Sequence, residues 1–161
     1  MNYLKIINET ISDGVGLRMS IYLAGCSHEC NGCHNKSSWN EKNGKNLDDA
    51  TIAYIINAYK NNPLLNGITF TGGDPLYNFE SFNILIKKIK QELNCNIWVY
   101  TGYVFEEILN ESFMKYIDVL VDGKFMIEKY SPLLYFKGST NQRIIDVVES
   151  FKKNKVVSLI N

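Results

Sequence analysis

Residues 67–101 read GITFTGGDPLYNFESFNILIKKIKQELNCNIWVYT, and this stretch carries one complete strand–helix–strand unit. Gly67-Ile68-Thr69-Phe70-Thr71 is a short β-rich run that ends at Gly72-Gly73. Asn78 or Ser81 then opens a helix in which Phe82, Leu85, Ile86, Ile89 and Leu93 recur at the i, i+3, i+4 spacing of one helical face. Asn96-Ile97-Trp98-Val99-Tyr100-Thr101 is the next strand, and it too ends at a glycine, Gly102. Ile, Val, Tyr and Phe bounded by glycine are the residues of a pleated, buried strand.

The same alternation extends outward. Met19–Ala24 is a strand that runs straight into Gly25-Cys26, Tyr116–Val121 is one that ends at Asp122-Gly123, and Lys155–Ile160 suits a last one. Asp48 or Asp49 caps a helix with Ile52, Ile55, Ile56 and Tyr59 on its apolar side, ending at Asn61-Asn62 before Pro63. A third helix is expected over about Gln142 to Lys153, with Ile144, Ile145, Val148 and Phe151 on one side. Strands alternating with helices imply βαβ units and a mainly parallel sheet. With roughly 25–30 residues for each βα unit, taking the ~30-residue βαβ motif as a guide, the chain holds five or six units. A closed eight-stranded barrel needs about 250 residues, which leaves an α/β fold that is an open sheet or an incomplete barrel. In both, ligands bind at the carboxyl ends of the strands. Cys26, Gly72-Gly73-Asp74, Thr101-Gly102 and Asp122-Gly123-Lys124 all follow strands, so the site belongs there.

The composition narrows the classes of function. The chain has 161 residues, 45% hydrophobic and 21% charged, the profile of a globular chain of one domain spanning residues 1–161. Seventeen Lys and Arg balance seventeen Asp and Glu, which argues against nucleic acid as a partner, because gripping phosphates takes uncompensated positive charge. No apolar run approaches the ~20 residues of a membrane span, so no membrane is expected. The opening residues lack the charged head and apolar stretch of a signal peptide, and a cytoplasmic location is expected.

Three of the four cysteines, Cys26, Cys30 and Cys33, fall within eight residues, while Cys95 stands alone. A disulfide framework would distribute paired cysteines along a short secreted chain; clustered thiols indicate metal ligands or redox groups. The gaps of three and two residues let three thiolates converge on one face of an inorganic centre. A structural zinc site needs a closed set of four ligands, and here His28, His34 or Cys95 would have to supply the fourth. Three thiolates around a four-iron cluster would instead leave one iron open to a substrate, whereas an electron-transfer cluster takes four cysteines. Both readings stand on the residues alone.

The pattern Cys26-x3-Cys30-x2-Cys33 after the first internal strand resembles the radical S-adenosylmethionine (SAM) superfamily, and Gly72-Gly73-Asp74-Pro75 resembles that superfamily's Gly-Gly-Glu/Asp motif. More closely, the chain is similar to the glycyl-radical activases that act on anaerobic ribonucleoside-triphosphate reductase. The matching segments, in the family's order, are Asp13-Gly14-x-Gly16-x-Arg18, Gly25 to Asn35, Thr71 to Leu76, Asp118 to Phe125 and Gly138-Ser139-x-Asn141-Gln142-Arg143. Gly32 before the third cysteine agrees with these activases, while His34 after it resembles the pyruvate formate-lyase type. A sister activase, a small-molecule radical SAM enzyme and a non-catalytic zinc or iron–sulfur module are the alternatives.

The resemblance implies an incomplete (β/α) barrel of five or six units. It implies a [4Fe-4S] cluster on Cys26, Cys30 and Cys33 whose open iron is chelated by SAM. It also implies reductive cleavage of SAM to a 5′-deoxyadenosyl radical that takes hydrogen from a glycine near the C-terminus of the large reductase subunit. Gly32, Cys33, His34, Gly72, Gly73 and Asp74 are then the residues expected against SAM, and reduced flavodoxin or a similar donor the electron source. No protein acid or base is expected in hydrogen transfer, because the cofactors carry the chemistry. Asp122 and Lys124 match a segment near SAM in related activases, although a plain turn explains them equally well. Arg18 has an ordinary ion pair as its simplest reading, Asn141 a helix-cap segment, and Cys95 a small buried hydrophobe. His28 and His34 each suit an exposed loop, with His34 the better placed for SAM.

Overall fold

The computed structural model describes residues 1–160, and in it the unit at 67–101 forms as the sequence predicts. In chain order the elements are β1 (Asn2–Thr10), β2 (Arg18–Leu23), β3 (Lys45–Asn46), α1 (Asp49–Lys60), β4 (Gly67–Gly72) and α2 (Phe79–Glu92). They continue as β5 (Asn96–Tyr100), α3 (Phe105–Ile108), β6 (Val119–Asp122), β7 (Arg143–Asp146), α4 (Val147–Lys153) and β8 (Ser158–Ile160). All eight strands join one sheet in the order β3-β1-β2-β4-β5-β6-β7-β8. The two long helices start where their caps dictate, the Asp48 carboxylate accepting from Thr51 N at 2.8 Å and the Asn78 amide oxygen from Ser81 N at 2.9 Å.

The expectation of a mainly parallel sheet needs correction. Only β2, β4, β5 and β6 run parallel to one another, and they form the middle of the sheet. The pairs β1–β2, β1–β3, β6–β7 and β7–β8 are antiparallel. Parallel neighbours need a long crossover, whereas antiparallel ones can return through a short connection. Here the turn at residues 11–17 brings β1 onto β2, and α4 with the turn at 154–157 returns the chain so that β8 lies on β7. The five or six expected units therefore reduce to a four-stranded parallel centre with antiparallel flanks.

The expected helix over Gln142 to Lys153 is also corrected. Its first turn is strand β7, which pairs with β6 through Ile145 opposite Leu120 and Ile144 opposite Val121. The helix starts at Val147, with Asp146 accepting from Glu149 N at 2.8 Å. Two adjacent β-branched residues suit a pleated surface better than a helical one. Burying both Ile144 and Ile145, on opposite faces of the sheet, settles the register.

The sheet's two faces differ in chemistry. Met19, Ile21, Leu23, Ile68, Phe70, Ile97, Val99, Leu120 and Ile145 join the apolar side chains of α1 and α2 in one core. The opposite face carries Arg18, Ser20, Tyr22, Thr69, Trp98 and Tyr100, with a small apolar cluster of Trp98, Val119, Val121 and Ile144. Arg18 departs from the expected ion pair. It donates from Nε to Thr69 Oγ1 at 2.7 Å and from a terminal nitrogen to the carbonyls of Ile68 and Asn96, with Trp98 beneath its guanidinium. Burial lowers its pKa to about 10, so it stays charged at neutral pH. Among the described residues no helix is long and apolar enough to cross a membrane.

Candidate functional site

Four strand ends meet at one hollow. β2 delivers Cys26, and the loop beyond it folds back on residues 38 and 39, Gly25 N donating to Ser38 O at 2.7 Å and Cys26 N to Trp39 O at 3.1 Å. A tight turn, Cys33 N to Cys30 O at 3.1 Å, brings the second and third thiols together. All three cysteines are half-buried and face the same hollow. Its other walls are Gly73 and Asp74 after β4, Tyr100 to Gly102 at the end of β5, and Gly123, Phe125 and Gln142 between β6 and β7. The site lies at the carboxyl ends of the parallel strands, as the alternation of elements predicts.

The donor set bears on which inorganic centre fits. Burial raises the Cys26 thiol above its ordinary value, so a ligated thiolate there needs a positively charged centre in contact with it. Asn35 N donates to Cys33 Sγ at 3.4 Å, the kind of hydrogen bond that tunes a coordinated sulfur. Of the three candidates for a fourth ligand, two lie away from the hollow and the third, His28, has one ring nitrogen engaged. Cys95 lies in the core beneath the sheet, its thiol pushed up to about 11 by burial. His28 points its Nε2 at Asp74, 2.6 Å away. His34 is exposed between the rings of Phe125 and Tyr130. Among the described residues no three His, Cys, Asp or Glu side chains converge tightly enough to hold a single metal ion. Three thiols beside an open hollow, with the fourth cysteine buried in the core away from them, fit a four-iron cluster better than a closed all-cysteine zinc site.

The Gly-Gly-Asp segment does something the sequence does not disclose. Its glycines admit backbone from this same chain. A Cβ on Gly73 would collide with the carbonyl oxygen of Gly25, and one on Gly72 would lie 2.6 Å from Leu23 N and O. Gly73 N donates to Leu23 O at 2.8 Å and Asp74 N to Gly25 O at 2.7 Å, fastening the end of β4 to the root of the cysteine loop. Asp74 is 2% exposed. Its Oδ1 accepts from Leu76 N at 2.8 Å, and its Oδ2 from Thr101 Oγ1 and Gly102 N, each at 2.9 Å.

Of the residues expected against SAM, Cys33, Gly73 and Asp74 therefore line the hollow. Gly72 lies against β2, and Gly32 against Ile127, whose side chain fills the space a Cβ would need. His34 turns away from the hollow, and His28, read from sequence as a loop residue, is the histidine inside it. Asp122, 1% exposed, is held by Arg143 and by Phe105 N at 2.8 Å, while Lys124 is exposed. Asn141 donates to Lys124 O at 2.8 Å and Gln142 to Gly123 O at 2.9 Å, so these two amides brace the rim. The sequence also left Tyr100 unremarked; burial holds its phenol far above the ordinary value, which keeps it protonated.

Comparison with known proteins agrees with this geometry. A family model described as a 4Fe-4S single cluster domain matches residues 12–145. A protein of Haemophilus influenzae named anaerobic ribonucleoside-triphosphate reductase-activating protein is 39% identical over 150 residues, covering 89% of this chain and 97% of its own length. Proteins of that name from Escherichia coli K12, 39% identical over 149 residues, and phage T4, 38% identical over 148, cover 88% and 89% of this chain and 96% and 93% of their own. With a matching cluster-domain model, relatives aligned over almost their full length and three cysteines gathered at the strand ends, the chain belongs to the family of anaerobic ribonucleoside-triphosphate reductase-activating proteins.

Proposed function

We propose that this chain binds a [4Fe-4S] cluster through Cys26, Cys30 and Cys33, cleaves SAM reductively beside it, and installs a glycyl radical on an anaerobic ribonucleoside-triphosphate reductase. The observation that carries the reading is the set of three half-buried thiols around one hollow, with the fourth cysteine away in the core. When bound, the cluster and SAM together supply one-electron chemistry and a carbon radical strong enough to take hydrogen from a glycine Cα. The chain's own residues bind, orient and enclose. Cys33, Gly73 and Asp74 offer the wall on which SAM would rest, and Asp74 acts there through the groups it fixes, since both its oxygens already accept hydrogen bonds. Gly72 supports that wall from behind through its close contact with β2, while Gly32 and His34 flank Cys33 in the cysteine loop. Tyr100 stays a neutral phenol, and no side chain in the hollow is needed as acid or base.

The sheet has free edges at β3 and β8, in keeping with an incomplete barrel whose open side admits a peptide. The fitting substrate is the C-terminal glycine loop of the large reductase subunit, because a small molecule would be poorly enclosed in so open a site. Reduced flavodoxin or a similar low-potential donor would supply the electron, and the cytoplasm is the compartment that suits such a partner set.

The test is anaerobic reconstitution with iron and sulfide, reduction with dithionite, and quantification of 5′-deoxyadenosine beside Cys30→Ser. A glycyl-radical signal on added reductase is read in parallel. Product and radical that both vanish in Cys30→Ser are the expected result. Four bound irons with no product, even with reductase present, would overturn the reading.

A further inference from the structure

His28 stands between the first two cysteines of the loop, yet its side chain is only 9% exposed. Its Nε2 lies 2.6 Å from Asp74 Oδ2, across 46 residues of sequence. The direction of that hydrogen bond follows from the neighbours. Leu76 N and Gly102 N can only donate, one to each carboxylate oxygen, so Asp74 is an acceptor at both and His28 Nε2 carries the hydrogen. The ring lies flat against Gly102, where a Cβ would strike it, and meets the Tyr103 ring edge-on at 4.8 Å. One carboxylate oxygen thus gathers His28 from the cysteine loop and Thr101 and Gly102 from the end of β5, while its own chain is the end of β4.

Resting on the SAM reading above, we propose that His28 is a positioning residue. By donating to Asp74 it locks the cysteine loop to the two strand ends that receive SAM, so that cluster and SAM meet in one fixed geometry. Nothing else in residues 27–32 ties the loop to Asp74 by a side chain: His28 is the single side-chain link from this loop among the described hydrogen bonds to that carboxylate. The backbone ties of Gly73 and Asp74 reach only Leu23 and Gly25, before the first cysteine. Asn35 Nδ2 also donates to Gly72 O at 3.2 Å, but it holds the loop only beyond the third cysteine; without His28 the loop keeps its three thiols, and the stretch between its first two cysteines loses its registration against the SAM wall. Groups that orient ligands around a metal commonly change affinity or activity by about 10–100-fold when removed.

The experiment uses the full chain, reconstituted anaerobically, as the unaltered protein, His28→Ala and His28→Gln. Glutamine is the informative replacement because its amide nitrogen reaches about as far as Nε2. Iron per chain is counted first. The electron paramagnetic resonance spectrum of the reduced cluster is then titrated with SAM, which reads binding beside the cluster without any turnover. The expected result is full iron content in both variants, a half-saturating SAM concentration raised about 10–100-fold in His28→Ala, and recovery of most of that loss in His28→Gln. In an Asp74→Asn background, His28→Ala should add little, because the two act through one contact.

A SAM titration unchanged in His28→Ala overturns the proposal. Equal losses in the alanine and glutamine variants overturn it as well, since ring packing on Gly102 would then be the cause. Should His28→Ala fail to hold iron, His28→Gln decides: near-normal titration supports the donor role, and loss of iron there refutes it. Failure of the underlying SAM reading has its own signature, an unaltered protein with four irons whose spectrum does not respond to SAM, and that result removes both.

Discussion

Replacing Arg143 with alanine should destabilise the protein far more than loss of a surface ion pair would. Arg143 faces two carboxylates of different character. With Glu106, 53% exposed, it forms a fork at 2.7 and 3.0 Å, the sort of exposed pair that contributes about 0.2–1 kcal/mol. Asp122 is 1% exposed, and beyond Arg143 its remaining donor is Phe105 N. Breaking a fully buried pair by removing one partner costs about 3–5 kcal/mol. Arg143 is itself 38% exposed, so water entering the vacated space offsets part of this, and about 2–3 kcal/mol is expected. At this chain length that lowers the melting temperature by roughly 4–12 °C.

The sign with pH follows from Glu106. Arg143 holds the Glu106 carboxyl below its ordinary value. That contribution is therefore present above the unfolded pKa of about 4.3 and disappears as the pH falls through the folded value. In Arg143→Ala it is absent throughout. The stability gap between the two proteins should thus be widest at neutral pH and narrow as the pH approaches 4. Thermal melts of the unaltered protein, Arg143→Ala and the double variant Asp122→Asn/Arg143→Ala check this, with the double variant regaining more than about 1 kcal/mol because no buried charge remains. A loss under about 1 kcal/mol for Arg143→Ala, the range of an exposed pair, or a double variant no better than the single, would refute the reasoning.

Two further outcomes are expected. Gly73→Ala drives a methyl into the Gly25 carbonyl; overpacking of this kind costs about 1–3 kcal/mol, and prising β4 from the cysteine loop should lower iron per chain as well as the melt, so normal values of both would contradict the backbone contact. Cys95→Ser should keep the full iron content. In a variant with Cys26, Cys30 and Cys33 all changed to serine, the buried Cys95 thiol, pushed up to about 11, should alkylate much more slowly at pH 8 when folded than in denaturant; equal rates would refute its burial.

What the sequence discloses here is what lies close together along the chain. The strand–helix–strand unit at 67–101 is legible because periodicity and capping are local, and the cysteine set because its ligands fall within one loop. The expected helix at 142–153 fails for the opposite reason. Ile144, Ile145, Val148 and Phe151 do fit one helical face, but β6 offers Ile144 and Ile145 a place on two faces of a sheet, and Arg143 gains Asp122 only in that register. Strand β1 gave no signal, because its side chains are half-buried or exposed with no clean alternation. The same limit governs the site. Gly-Gly-Asp reads as a pocket for a ligand, yet its glycines are filled by the chain's own Leu23 and Gly25 and its carboxylate by His28, Thr101 and Gly102. A motif names residues that a site requires without saying which of them touch the ligand. Here the partners of the Asp74 carboxylate lie up to 46 residues away, and only the fold, by bringing β2, β4 and β5 to a common end, separates the wall of the hollow from the framework behind it.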